Sequence, residues 1–149
     1  IALRDATFNV SEIYATTKVL VAPSLWYESW GRVTTEATMN GIPVLASQSG
    51  GIPEAVGTGG IALPVPESNQ GKDENWLVLP SEEECRPWAD ALYELYDNTE
   101  KWQEGCRKNA EQHSLKVTGD RILKLLQNLK RPAENARNRP LSNSRPLPH

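Results

Sequence analysis

Histidine, cysteine, methionine and phenylalanine are all scarce in this chain, at two, two, one and one copies. His113, His149, Cys85 and Cys106 stand apart from one another, so the paired spacing of a zinc site is missing. No Asp-x-Asp pair occurs either, and neither a bound metal nor another cofactor is expected. The chain also lacks a G-x4-G-K-[ST] loop and a G-x-G-x-x-G turn, so phosphoryl transfer and dinucleotide binding are without their usual glycine-rich cradles. No apolar run approaches the roughly 20 residues needed to cross a bilayer, and no signal peptide is visible. Two cysteines without a disulfide framework fit a reducing compartment, and a cytoplasmic location is expected, where the sequon Asn9-Val10-Ser11 has no use.

What is present is an alternation of short apolar runs with helical patterns. A short helix around Ser11 to Thr17 is followed by a strand over 19–24, a helix over 31–40 closing on Asn40-Gly41, and a strand over 42–47. A helical turn over 53–56 and a strand over 61–63 complete the series, with Gly57 to Gly60 as the connection between them. The strands are apolar on both faces, as a parallel sheet covered on each side requires. The expected fold class is therefore α/β, a Rossmann-like parallel sheet flanked by helices. After Pro64 comes a polar stretch to Asn75 and a short candidate strand, Trp76 to Leu79.

Three further helices are expected. The first carries Trp88, Ala91, Leu92 and Leu95 on one face, with Pro87 suited to its first position. The second carries Trp102, Cys106 and Ala110, with Thr99 as N-cap. The third carries Val117, Ile122, Leu125, Leu126 and Leu129. All three stripes are expected to pack into a core.

The most informative pattern is the pair Glu28 and Glu36, which flank the start of the helix over 31–40. The first amides of that helix, at Gly31, Arg32 and Val33, have no intrahelical acceptor, and the helix dipole adds roughly half a positive charge there. An anion is welcome at such a place, and Gly31 lets it approach the backbone closely. Glu36 cannot hold that anion, because like charges repel. As an acceptor-only group it suits paired hydroxyls such as a ribose diol, and Glu28 suits a hexose on the other side. The pattern thus fits a phosphorylated ligand with sugar hydroxyls at both ends. Arg32 either meets that ligand or faces solvent. Trp26 is expected to pack against the sheet, whereas Trp30 either walls the sugar or packs. Gly50-Gly51 demands unusual backbone angles or a close approach, and Glu54 is expected to organise the turn after Pro53.

The run Pro23-Ser24-Leu25-Trp26-Tyr27-Glu28-Ser29-Trp30-Gly31-Arg32-Val33-Thr34-Thr35-Glu36-Ala37, followed by Asn40-Gly41-Ile42-Pro43-Val44-Leu45-Ala46-Ser47 and Gly50-Gly51-Ile52-Pro53-Glu54, resembles the donor-binding domain of retaining GT-B glycosyltransferases of family 4, or group 1. The resemblance is close over about residues 10 to 64. It implies that Glu28 contacts the transferred sugar as the catalytic carboxylate, that Gly31 to Val33 hold the diphosphate, that Glu36 takes the ribose, and that Gly50 and Gly51 border the nucleotide. The implied partners are a UDP-, GDP- or ADP-linked sugar and an acceptor of unknown identity. Val65-Pro66-Glu67-Ser68 departs from the tight Pro-Gly-Asp turn common in the family.

By the same resemblance the chain reads as a fragment. The facing amino-terminal domain, the first strands of the donor domain and a basic glycine-rich segment would all precede Ile1. The resemblance also offers the third of the helices above as the one that crosses back to the amino-terminal domain, where it would here have no partner. Residues 1–130 are taken as a partial donor-binding domain, and 131–149 as a disordered tail rich in proline, arginine and asparagine. Four arginines against Glu134 give that tail +3, so a chain of net charge −3 keeps an acidic body at −6, which argues against nucleic acid as the ligand. Two other readings stay open: a sugar-nucleotide epimerase or phosphorylase of related architecture, and a nucleotide-binding fragment without turnover.

Overall fold

Val44, Leu45, Ala46 and Ser47 form a strand buried on both faces, and the rest of the fold is built around it. The computed structural model describes residues 3, 5, 7–70 and 78–130. In chain order its elements are α1 (Val10–Thr16), β1 (Leu20–Ala22), α2 (Arg32–Met39), β2 (Val44–Ser47), α3 (Ile52–Val56), β3 (Gly60–Leu63), a 3-10 turn (Glu67–Asn69), α4 (Glu82–Asp97), α5 (Thr99–Gln112) and α6 (Leu115–Lys130). The strands form one parallel sheet in the order β1-β2-β3, with Leu20 opposite Val44 and Val44 opposite Gly60. This is the expected α/β class, a Rossmann-like parallel sheet flanked by helices.

The alternation of side chains along β2 divides the core in two. Val44 and Ala46 pack with Ala37 of α2 and with Ile42, Ile52 and Val56, while Tyr14, Leu20 and Ala22 close the edge. Leu45 points the other way, to Ala91 and Leu95 of α4, with Trp88, Trp102, Ile61 and Leu63 around them. Asn109 of α5 is buried and donates to the Thr38 hydroxyl at 3.1 Å and to the Ala55 carbonyl at 2.9 Å, tying α5 to the ends of α2 and α3.

Several local expectations are corrected. Helix α4 starts at Glu82, not at Pro87, because Ser81 and Glu84 form a reciprocal capping box that nucleates it earlier. Pro87 therefore lies inside the helix, where it leaves one ladder bond unmade. Thr99 is the first residue of α5 after the N-cap Asn98, and its hydroxyl donates backward to Leu95 and Tyr96. Trp26 is 72% exposed and does not pack on the sheet. Of the candidate strand 76–79, the first two residues lie outside the described residues, and Val78 and Leu79 form no strand.

By contact density the chain divides into two compact units, Ile1–Ser114 and Leu115–His149. In the second, α6 forms as expected, but Ile122, Leu125, Leu126 and Leu129 are exposed, so their stripe enters no core there. The tail predicted over 131–149 lies outside the described residues. Among the described residues no helix is long and apolar enough to cross a membrane.

Candidate donor site at the start of helix α2

Gly31 is the N-cap of α2 and takes the left-handed conformation, with φ at 71°. A side chain there would meet strain from that φ, and its Cβ would lie 3.0 Å from Ile52 Cγ1. Two factors thus fix glycine at this position, and the second is its close packing on Ile52 of α3. The Gly31 carbonyl accepts from the Thr34 amide at 3.0 Å and from the buried Thr34 hydroxyl at 2.7 Å. The amides of Arg32 and Val33 come ahead of that first bond, as expected for the positive end of a helix.

The two carboxylates are held differently. Glu28 is half-buried in the loop after β1, and Ser24 donates its hydroxyl to Oε1 at 3.2 Å. Glu36, one turn into α2, accepts the Tyr14 hydroxyl on Oε2 at 3.1 Å and pairs through Oε1 with Arg32 at 3.5 Å. Arg32 itself is 88% exposed, so its guanidinium lies in solvent along the helix. Burial, then the hydrogen bond to Glu36 and its charge, raise the Tyr14 pKa, so the phenol stays a neutral donor. Val33 is exposed.

Trp30 is 36% exposed, and its indole donates to the Thr35 hydroxyl at 3.0 Å. Its ring meets that of His113 edge-on, with centroids 5.0 Å apart. His113 is isolated in sequence, and only the fold places it at this loop.

The Gly50-Gly51 pair lies against the backbone of the Glu28 loop. A Cβ on Gly50 would run into the Glu28 carbonyl, and one on Gly51 into the Ser29 carbonyl. The Gly51 amide donates to the Glu28 carbonyl at 2.8 Å. Gly50 has both features expected of the pair, a left-handed φ of 59° and a close approach, while Gly51 has the close approach alone, and in each case the partner is the chain's own backbone. Ser47 and Ser49, which sequence reasoning passed over, donate to the carbonyls of Ser24 and Trp26. The available signal was their spacing, since Ser47, Ser49 and Gly51 fall on every second residue after an apolar strand.

Beyond the carboxyl ends of the strands lies a cavity of about 400 Å³, walled by Pro23, Leu25, Val65, Pro66 and Trp88 among others. None of the predicted donor-site residues lines it. Among the described residues no three His, Cys, Asp or Glu side chains come together in a way that would hold a metal ion.

Residues 2–113 match the sequence model of the family described as Glycosyl transferases group 1. The chain belongs to that family. Within the group 1 glycosyl transferases it is similar to a protein of Oryza sativa subsp. japonica named "Probable sucrose-phosphate synthase 2", at 33% identity over 104 residues, covering 68% of this chain and 9% of the relative. It is also similar to "D-inositol 3-phosphate glycosyltransferase" of Corynebacterium aurimucosum, at 36% identity over 86 residues, covering 58% of this chain and 17% of the relative. The group 1 segment therefore spans less than a fifth of either relative, so most of each has no counterpart here.

Proposed function

We propose that the protein transfers a sugar from a nucleotide-sugar donor to an acceptor with retention of configuration, and that this chain supplies part of the donor pocket of a GT-B enzyme of family 4. The supporting observation is the left-handed Gly31 cap of α2, which leads into free amides and has a carboxylate on either side. In this reading the amides of Gly31 to Val33 receive the diphosphate, Glu36 receives the ribose hydroxyls, and Glu28 meets the hydroxyls of the transferred sugar. Negative charge grows on the diphosphate as the glycosidic bond breaks, and amides fixed at a helix terminus meet that charge without reorganising.

Trp30 walls the sugar side, and the Gly50-Gly51 loop borders the nucleotide. Arg32, paired with Glu36 in solvent, swings to the phosphates when a donor arrives; its exposure leaves it free to do so. No metal takes part in this scheme, and the remaining basic groups come from the parent outside this chain. A reducing cytoplasm suits the enzyme, with Cys85 exposed and Cys106 buried as free thiols.

Glu36→Ala and Glu28→Ala in the intact enzyme test the assignment, with UDP, GDP and ADP titrated for affinity and donor turnover followed. Glu36→Ala weakens nucleotide binding by about tenfold, as loss of a charge-assisted pair of hydrogen bonds predicts, while Glu28→Ala mainly lowers kcat. Unchanged affinity and turnover in both variants would remove the site.

A further inference from the structure

Beyond Ala22 and Ala46, the last residues that pair β1 with β2, the end of β2 and the segments that follow both strands stay together by a ladder of a different kind. The Ser47 hydroxyl donates to the Ser24 carbonyl at 2.5 Å, the Ser49 hydroxyl donates to the Trp26 carbonyl, and the Gly51 amide donates to the Glu28 carbonyl at 2.8 Å. Each rung joins residues 23 apart, and the rungs fall on alternate residues of both segments. At Ser49 the backbone donor is already committed, because its amide bonds the Ser47 carbonyl at 2.9 Å in a tight local turn. The side-chain hydroxyl takes over the cross-chain bond. Ser47 and Ser49 are both buried, and the two bonds they make are partly sheltered from water.

The ladder ends on Glu28. The backbone of that residue is held by Gly51, its carboxylate receives the Ser24 hydroxyl, and the Ser24 carbonyl is the first rung. Gly50 and Gly51 allow the two segments to lie in direct contact. The Glu28 backbone, and the Ser24 residue whose hydroxyl meets its carboxylate, are thereby held by groups that belong to the end of β2 and the turn after it.

We propose that Ser47 and Ser49 are positioning residues for glycosyl transfer, holding the Glu28 carboxylate in register with the transferred sugar through the carbonyls of Ser24 and Trp26. The proposal rests on the donor-site reading of Glu28. It predicts that the chemical step suffers when the hydroxyls are lost, while the diphosphate cradle at α2, whose Gly31 carbonyl is bonded within the helix by the amide and hydroxyl of Thr34, keeps its affinity.

The test uses the intact enzyme with UDP-glucose, GDP-mannose and ADP-glucose as donor probes, release of the nucleoside diphosphate as the readout, and amide hydrogen exchange over 24–30 and over α2. The double variant Ser47→Ala/Ser49→Ala lowers kcat by about tenfold, the size expected from two lost, partly buried hydrogen bonds. Affinity for UDP, GDP or ADP stays within about twofold, a split between binding and turnover that general unfolding does not give. Exchange rises over 24–30 and not over α2, and Ser49→Thr, which keeps a hydroxyl, recovers most of the turnover. Undiminished kcat in the double variant, alongside a Glu28→Gln variant that is impaired, overturns the positioning role and leaves the donor site standing. Parallel loss of nucleotide affinity and of α2 protection overturns it as well. If Glu28→Gln turns over normally, the donor-site reading fails instead, and unchanged exchange over 24–30 then rejects the ladder on its own.

Discussion

Tyr14 reaches across 22 residues of sequence to donate its hydroxyl to Glu36 at 3.1 Å, so helix α1 holds the carboxylate proposed to take the ribose. In Tyr14→Phe that carboxylate loses one of its two partners and turns more freely. The contact is partly exposed, so its loss is worth about 1 kcal/mol, or roughly fivefold weaker nucleotide binding. Calorimetric titration with UDP, GDP and ADP measures it. Because the Tyr14 pKa is raised, wild-type affinity stays flat through neutral pH and falls only in the alkaline range, where the phenolate would repel Glu36.

Gly51→Ala and Gly41→Ala separate close packing from backbone strain. Gly51 has an ordinary φ of −84°, but a Cβ would press on the Ser29 carbonyl. We expect a loss of about 1–3 kcal/mol and a displaced Glu28 loop with reduced turnover. Gly41 has φ at 72° and open space around it, so Gly41→Ala costs about 1–2 kcal/mol of strain and leaves turnover per folded molecule unchanged. Urea denaturation beside donor hydrolysis distinguishes the two, and equal effects on turnover would contradict the packing argument.

Asn109 is the buried key between α5 and the ends of α2 and α3. Asn109→Ala leaves the Ala55 carbonyl without its donor and opens a cavity against Gly57, whose missing Cβ makes room for the Asn109 side chain. The expected destabilisation is about 2–4 kcal/mol, read from chemical denaturation. A change under half of that would mean that water fills the site at little cost.

Glu84 provides a pH test. Its carboxylate accepts the Ser68 amide at 2.9 Å and the Ser81 amide at 2.8 Å, and these bonds hold its pKa down at about 2. In the unfolded chain a glutamate titrates near about 4.3. The folded value is the lower one, so this stabilisation is fully present above the unfolded value and is lost as pH falls from there through the folded value. Denaturation midpoints of wild type and Glu84→Gln, compared across the acid range, should converge as the pH drops. A constant gap between them would mean that the charge of Glu84 contributes nothing.

The order and type of the elements around β2 were legible in the sequence because each rests on local signals. Apolar runs too short for helices, Gly31 ahead of a helical pattern and Asn40-Gly41 at its end mark them directly. The start of α4 is equally local, since Ser81 and Glu84 have capping-box spacing, but Pro87 offers a competing start within the same helix. Trp26 failed for a different reason: an aromatic beside a strand packs only if the loop turns it inward, and this loop is held by its carbonyls with the indole outward.

The sequence by itself determined the alternation of strand and helix, the family, and the glycine that opens α2, because backbone propensity and motif spacing act over a few residues. Only the tertiary structure decided what surrounds the carboxylates. Tyr14 at Glu36, Ser47 and Ser49 on the Glu28 loop, and His113 against Trp30 are contacts between distant parts of the chain. Such contacts depend on the register of the parallel strands and on where each helix returns to the sheet, which burial of the whole core fixes and no short window of residues contains.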